Sequence, residues 1–256
     1  MDSTANRAGL FEVRSVDLHD PFAWLREGWQ DLRAAPLPSL FYGLCFAIMG
    51  YVLAYVLRHQ PQHLAAATAG FLLLGPALAI GLYDLSRQRS LGKQPQWKPS
   101  LTAWRRNLAN IGLFSLVLLV IFLVWARVSL LTFALFFTGD LPTVIDLARH
   151  ITSPDNAFFL TAWIGIGALF AALVFVVSVV SVPMLLDRQT DAVTAALTSL
   201  RVVALNAGAM AIWAAIIAWA TSAALLMGFV GIVIVGPLLG HGSWHAYRAT
   251  VGNPRE

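Results

Sequence analysis

Five stretches of this chain, 37–57, 64–85, 108–137, 157–186 and 203–240, are long apolar runs with almost no charge. A helix needs about 20 apolar residues to cross a bilayer, and backbone in hydrocarbon must satisfy its own hydrogen bonds. The first four runs each hold one crossing. The last has no charged residue between Arg201 and Arg248. It has room for two crossings that reverse at Met227-Gly228-Phe229-Val230-Gly231, where glycine permits a tight turn. The count is six spans. Five is the alternative, if 203–240 holds one long helix and a re-entrant piece. Only 12% of the residues are charged and 58% are hydrophobic, whereas a soluble domain carries about 25% charged residues.

Charge placement tests the count. Under six spans, 14 of the 17 Lys and Arg fall on one side. They are Arg7, Arg14, Arg26 and Arg33 before the first span, and Arg87, Arg89, Lys93, Lys98, Arg105 and Arg106 in the second loop. Arg188, Arg201, Arg248 and Arg255 complete the set. The other side has Arg58 and Arg149. Cytoplasmic loops attract Lys and Arg, so both termini are expected in the cytoplasm. The net charge of +4 is therefore a topology signal and implies no nucleic-acid partner. No apolar h-region opens the chain, so a cleaved signal peptide is not expected. Cys45 lies alone in the first run, where a small packed apolar residue is expected.

Two runs end in the same pattern. Gly75-Pro76-Ala-Leu78-Ala-Ile-Gly81-Leu-Tyr83-Asp84-Leu-Ser-Arg87 matches Gly236-Pro237-Leu-Leu239-Gly-His241-Gly242-Ser-Trp244-His245-Ala-Tyr-Arg248 in Gly, Pro, Leu, Gly, an aromatic and Arg. A weaker copy follows Pro183 and reaches Asp187 and Arg188. Such repeats point to three hairpins of one orientation, related by an axis along the membrane normal. The units are 20–87, 99–188 and 191–248, within one membrane domain over 20–248. Flexible tails are expected over 1–19 and 249–256, and a short amphipathic helix before each hairpin. In the first, Asp20 caps, Pro21 follows, and Phe22, Leu25, Trp29 and Leu32 form the apolar face, with Trp24 and Trp29 as interfacial anchors. The alternative is a soluble helix covering the cytoplasmic end of the bundle. In the second, Leu101, Trp104 and Leu108 share a face. In the third, Ala192, Ala195, Ser199 and Val202 follow Asp191.

These residues carry a resemblance. Asp20-Pro21, Trp24-Leu25, Gly28-Trp29, Gly75-Pro76, Gly81-Leu-Tyr83, Ser86-Arg87, Val182-Pro183 through Arg188, Asp191, and Gly240-His241 through Arg248 resemble the DUF2189 family of bacterial integral membrane proteins. The resemblance runs from about residue 16 onward. It implies a location and a topology, and no activity. The run from Pro183 through Asn206 is also similar to membrane domains attached to some glycerophosphodiester phosphodiesterases.

Several groups are candidates for a site. Pro76, Pro183 and Pro237 free the carbonyls of Leu72, Val179 and Val233. Together with Gly75 and Gly236 they form helix kinks that either line a shared cytoplasmic cavity or let the helices pack closely. His241 and His245 share a helix face and could bind a metal or pair with Asp84 or Asp187. The Glu of a zinc-binding H-E-x-x-H is missing, and no metal or other cofactor is expected. His59, His63 and His150 lie in outer loops, and no C-x-x-C-H is present for covalent heme. Arg127 sits about 28 Å along its span and is expected to snorkel outward, with 128–137 interfacial or kinked. No nucleophile motif or phosphate loop appears.

The expectation is an all-α, six-span protein of a bacterial inner membrane. Tyr83, Asp84, Arg87, Asp187, Arg188, His241, His245 and Arg248 should gather in a cytoplasmic polar cluster. A non-enzymatic scaffold, assembly factor or accessory subunit is the leading role, with membrane lipids and a larger membrane complex as partners. The alternative is a small transporter or lipid-handling protein using a cavity between the kinked helices.

Overall fold

The computed structural model describes residues 11–56, 75–136 and 157–252. The regular structure of these residues is helical, and the one β-bridge among them pairs Val13 with Val251. The helices are α1 (Asp20–Ala34), α2 (Pro36–Val56), α3 (Gly75–Leu78), α4 (Ile80–Ser90), α5 (Trp97–Leu101), α6 (Leu108–Phe136), α7 (Ala157–Ser178), α8 (Ser181–Asp187), α9 (Ala192–Leu205), α10 (Ala207–Leu226) and α11 (Ile232–Thr250). A 3-10 turn, Ala103–Asn107, leads into α6.

Among the described residues, four stretches are long and apolar enough to cross a membrane: Pro36–Val56, Ala103–Phe136, Ala157–Asp187 and Ala207–Leu226. Their outer faces carry large apolar side chains in the open, such as Leu135, Phe158, Trp219 and Leu226. Contiguous apolar surface on this scale marks contact with lipid or protein rather than water. The first half of the run 64–85, and both outer loops with His59, His63 and His150, lie outside the described residues. The reversal expected within 203–240 is present. Gly228 and Phe229 both take positive φ, near 67° and 66°, between α10 and α11. That conformation is costly for Phe. Its ring is held against Tyr51, with centroids 5.5 Å apart, over the bare backbone of Gly50.

Helix α11 lies at the centre, against α1, α2, α4, α8 and α10. Glycines set how closely its neighbours approach. A Cβ on Gly43 of α2 would stand 2.0 Å from the Val233 carbonyl oxygen. Pro237 deprives that same carbonyl of its helical partner, so it is covered by α2 rather than by lipid. A Cβ on Gly28 of α1 would come within 2.7 Å of the Gly242 nitrogen. Pro183 acts differently. The helix breaks at Val179 and Val180, between α7 and α8, where the proline frees a carbonyl. For Pro76 the corresponding residue, Leu72, lies outside the described residues.

Several local expectations are corrected. Helix α1 buries Pro21, Trp24, Gly28, Asp31 and Leu32, while Phe22 and Trp29 are exposed. The buried face is therefore rotated from the one drawn through Phe22, Leu25 and Trp29, because the small Gly28 lets α1 lie directly on α11. Trp24 packs edge-on against Trp213 at 5.8 Å instead of anchoring in the interface. Asp20 is already inside the helix and accepts from the Asp17 N–H at 2.8 Å. Cys45 is exposed rather than packed. Helix α6 runs unbroken through Arg127, itself exposed, to Phe136. Residues 11–16 are tied down: Arg14 N–H donates to Thr250 O at 2.8 Å and Val16 N–H to Asn206 Oδ1 at 2.9 Å. The third amphipathic helix has the expected face, with Ala192, Ala195, Ser199 and Val202 buried and Asp191 capping Val193 and Thr194.

The glycine contacts make a direct prediction. Gly43→Ala should destabilise the fold by about 1–3 kcal/mol, as overpacking does. Gly112→Ala, where a Cβ meets nothing within 4 Å, should leave it nearly unchanged. Thermal melting of the detergent-solubilised proteins checks the difference.

Candidate functional site

The polar residues at the charged end form three neighbourhoods. The first is a chain of hydrogen bonds across α1, α4, α11 and α2. Asp31 of α1, 4% exposed in its side chain, accepts from three donors. These are the Arg89 guanidinium, His245 Nε2 at 2.9 Å and Ser86 Oγ at 2.5 Å. Ser86 gives its single proton to Asp31, so it accepts from His241 Nδ1 at 2.7 Å. The remaining ring nitrogen, Nε2, then accepts from the Ser39 hydroxyl at 2.9 Å. That tautomer follows from the network, since hydrogens are assigned from partners. His241, Ser39 and Ser86 are buried, and each finds its partner there, as buried polar groups must. His245 reaches outward as well, with Nδ1 2.9 Å from Glu27 Oε2.

The second neighbourhood is built on Asp187 at the end of α8. It accepts from Arg87 Nε at 2.9 Å and the Tyr247 hydroxyl at 2.8 Å, with Arg248 Nη1 at 3.5 Å. Arg188 Nε donates to the same Tyr247 oxygen at 2.8 Å, and its guanidinium lies over the Phe11 ring at 4.6 Å. Helices α4, α8 and α11 thus meet at one carboxylate, and Arg188 beside it reaches the segment before α1. The third is smaller. Buried Asp84 accepts from Gln88 Nε2 at 2.8 Å, and Arg106 Nη2 stands 3.6 Å from its other oxygen, an ion-pair distance beyond hydrogen-bond reach.

Of the eight residues expected to cluster, Arg87, Asp187, Arg188 and Arg248 meet as a group. His241 and His245 share the first network but do not pair with Asp84 or Asp187. His241 turns to Ser39 of α2 and Ser86 of α4, and His245 to Glu27 and Asp31 of α1, because these three helices all pack against α11. Tyr83 is buried in the core. Asp31, Ser39, Ser86, Arg89, Gln88, Arg106 and Tyr247 are not among the residues expected at the site. For Asp31 a signal existed: it stands three residues after Gly28 and seven after Trp24, on one helical face.

A cavity of about 320 Å³ opens beside the first network, lined by Glu27, Gln30, Asp31, Ser86, Arg89, Ser90 and His245. Its walls come from α1, α4 and α11 and include none of the kink prolines or their freed carbonyls. Among the described residues no group of three or more His, Cys, Asp or Glu is placed to hold a metal ion.

Burial alone would raise the Asp31 carboxyl, but hydrogen bonds from His245, Ser86 and Arg89 outweigh it and hold it below its ordinary value of 3.8. Its stabilising effect is therefore complete above that value and is lost as pH falls through the lower folded value.

Residues 64–187 match the model of a family described as "Predicted integral membrane protein (DUF2189)". The match takes in α3 through α8, with Asp84, Arg87 and Asp187, and bears out the family resemblance over that stretch. No curated protein and no solved structure matches this chain.

Two predictions follow from the Asp31 network. Asp31→Ala should cost about 3–5 kcal/mol, because it leaves buried donors and a cation without their acceptor. Read as thermal stability against pH, the wild-type protein should lose stability more steeply below pH 3.8 than Asp31→Asn does.

Proposed function

We propose that this integral membrane protein is a non-enzymatic scaffold or accessory subunit of a larger membrane complex in a bacterial cytoplasmic membrane. It would hold six spans as three like-oriented hairpins, with both termini in the cytoplasm. The observation that carries the reading is how the charged end uses its polar groups. Asp31 accepts from three neighbouring residues, Asp187 accepts from two and has a third, Arg248, at ion-pair distance, and with the bonded His241 these networks join α1, α2, α4, α8 and α11. Side chains arranged in this way lock helices together. The exposed apolar faces of the spans are then left for lipid and for partner helices.

The hairpin relationship has support beyond the shared sequence pattern. Its two equivalent glycines, Gly81 and Gly242, each lie beneath an aromatic ring of the preceding span, Tyr42 and Trp213. These rings stand equally far along the chain from Asp20 and Asp191, the acidic residues at which the first and third units begin. The cytoplasmic assignment rests on the excess of Lys and Arg at the same end.

The alternative reading, a small transporter or lipid-handling protein, has the cavity beside Asp31 in its favour. Mild extraction into lipid nanodiscs separates the two. The accessory reading expects another membrane protein to co-purify in fixed ratio. A chain accompanied by lipid or a small molecule alone would contradict it. Topology is tested separately. Reporter fusions after Arg106 and Arg201 should read cytoplasmic and one near residue 145 outside; a cytoplasmic reading at 145 would remove the six-span arrangement.

A further inference from the structure

The segment between α4 and α6 combines charge, aromatic rings and rigidity. From residue 85 to residue 139 the chain has no Asp or Glu and seven Lys and Arg. Arg87, Arg89 and Arg106 meet the carboxylates of Asp187, Asp31 and Asp84. Lys93, Lys98 and Arg105 are exposed and form no ion pair among the described residues. Beside them lie exposed Trp97, Leu101, Trp104 and Leu108. A soluble surface would not gather four large apolar side chains with three free cations on so short a stretch.

Position along the bilayer normal is set by contacts. The Trp97 ring packs edge-on against Phe41 at 5.8 Å, in the second turn of span α2, where Phe41 itself faces outward. Ser100 Oγ lies 2.9 Å from the Tyr42 hydroxyl. At its other end the segment runs directly into span α6 through Leu108. It therefore bridges the charged-end entries of two spans, at the depth of lipid headgroups.

The segment is also held in shape. Gly92 takes a φ of 71°, which turns the chain. The Gln88 side chain then clamps it: Oε1 accepts from Gln96 N–H at 2.7 Å, and Nε2 donates to Gln96 O at 3.2 Å and to Asp84 at 2.8 Å. The Arg105 guanidinium lies 5.2 Å from the centre of the Trp104 ring, which fixes a cation beside an aromatic that prefers the interface.

We infer that residues 91–108 form a docking surface for anionic glycerophospholipid headgroups, with Lys93, Lys98 and Arg105 meeting the phosphates while Trp97, Leu101, Trp104 and Leu108 enter the upper acyl region. The inference rests on the membrane location and not on the scaffold reading. Each Lys or Arg near an anionic leaflet adds about a fivefold preference, so three together give roughly a hundredfold at most.

The test is native mass spectrometry of the full chain in mild detergent, titrated with phosphatidylglycerol and with phosphatidylcholine of the same acyl chains. Wild type should retain phosphatidylglycerol at least roughly tenfold better. Lys93→Gln, Lys98→Gln and Arg105→Gln should each reduce that preference, and the triple variant should bring it near parity. All three side chains are exposed, so the single variants remain informative should the triple variant fold poorly. Equal retention of the two lipids by wild type, or an undiminished preference in every variant, would overturn the proposal.

Discussion

The closeness of α11 to α1 and α2 governs the rest of this structure. At Gly43 the backbone of α2 meets the Val233 carbonyl so tightly that a Cβ would stand 2.0 Å away. At Gly28 the backbone of α1 meets Gly242. Helices in lipid gain little from the hydrophobic effect between them, so close backbone contact and polar bonds carry association. Here the two go together. The glycine contacts bring α1 and α2 near enough for Asp31 and Ser39 to reach the histidines of α11.

That closeness gives the polar groups their roles. His241 is wholly buried and bonded at both ring nitrogens, to Ser39 on one side and Ser86 on the other. His245, one turn later, bridges Glu27 and Asp31. Buried ionic groups add little net stability compared with apolar packing, but breaking one partner of a set is costly. Such a network therefore specifies an arrangement more than it strengthens it. The Asp187 junction plays the same part for α4, α8 and α11.

Much of the fold was legible in the sequence because bilayer crossing imposes length and composition directly. The reversal around Gly228 and the buried face from Ala192 to Val202 both followed from spacing and turn chemistry. Among the described residues, four stretches meet the length and hydropathy of a span. Helix α11 departs from them because its second half, from Gly240, mixes glycine, histidine, serine and arginine among its aromatic residues and is mostly buried by protein. The site was legible in part. Arg87, Asp187, Arg188 and Arg248, four of the eight residues expected to cluster, lie together. The partners of His241 and His245 were not: His241 is held by serines of α2 and α4 that no hydrophobic pattern marks, and His245 by carboxylates of α1, whose buried face is chosen by Gly28 rather than by its large apolar residues. A hydrophobic pattern cannot register a face selected by the absence of a side chain, nor a carboxylate buried because three donors wait for it.

The central claim is that Asp31 and His245 act on each other across the α1–α11 contact as parts of one structural network. A double-mutant cycle tests it most directly, with Asp31→Asn and His245→Gln measured singly and together by reversible unfolding in mixed micelles. The account predicts an interaction energy of about 1–3 kcal/mol between the two substitutions, as for residues in one hydrogen-bonded network. Effects that add within about 0.5 kcal/mol would show the two side chains to be independent and contradict it.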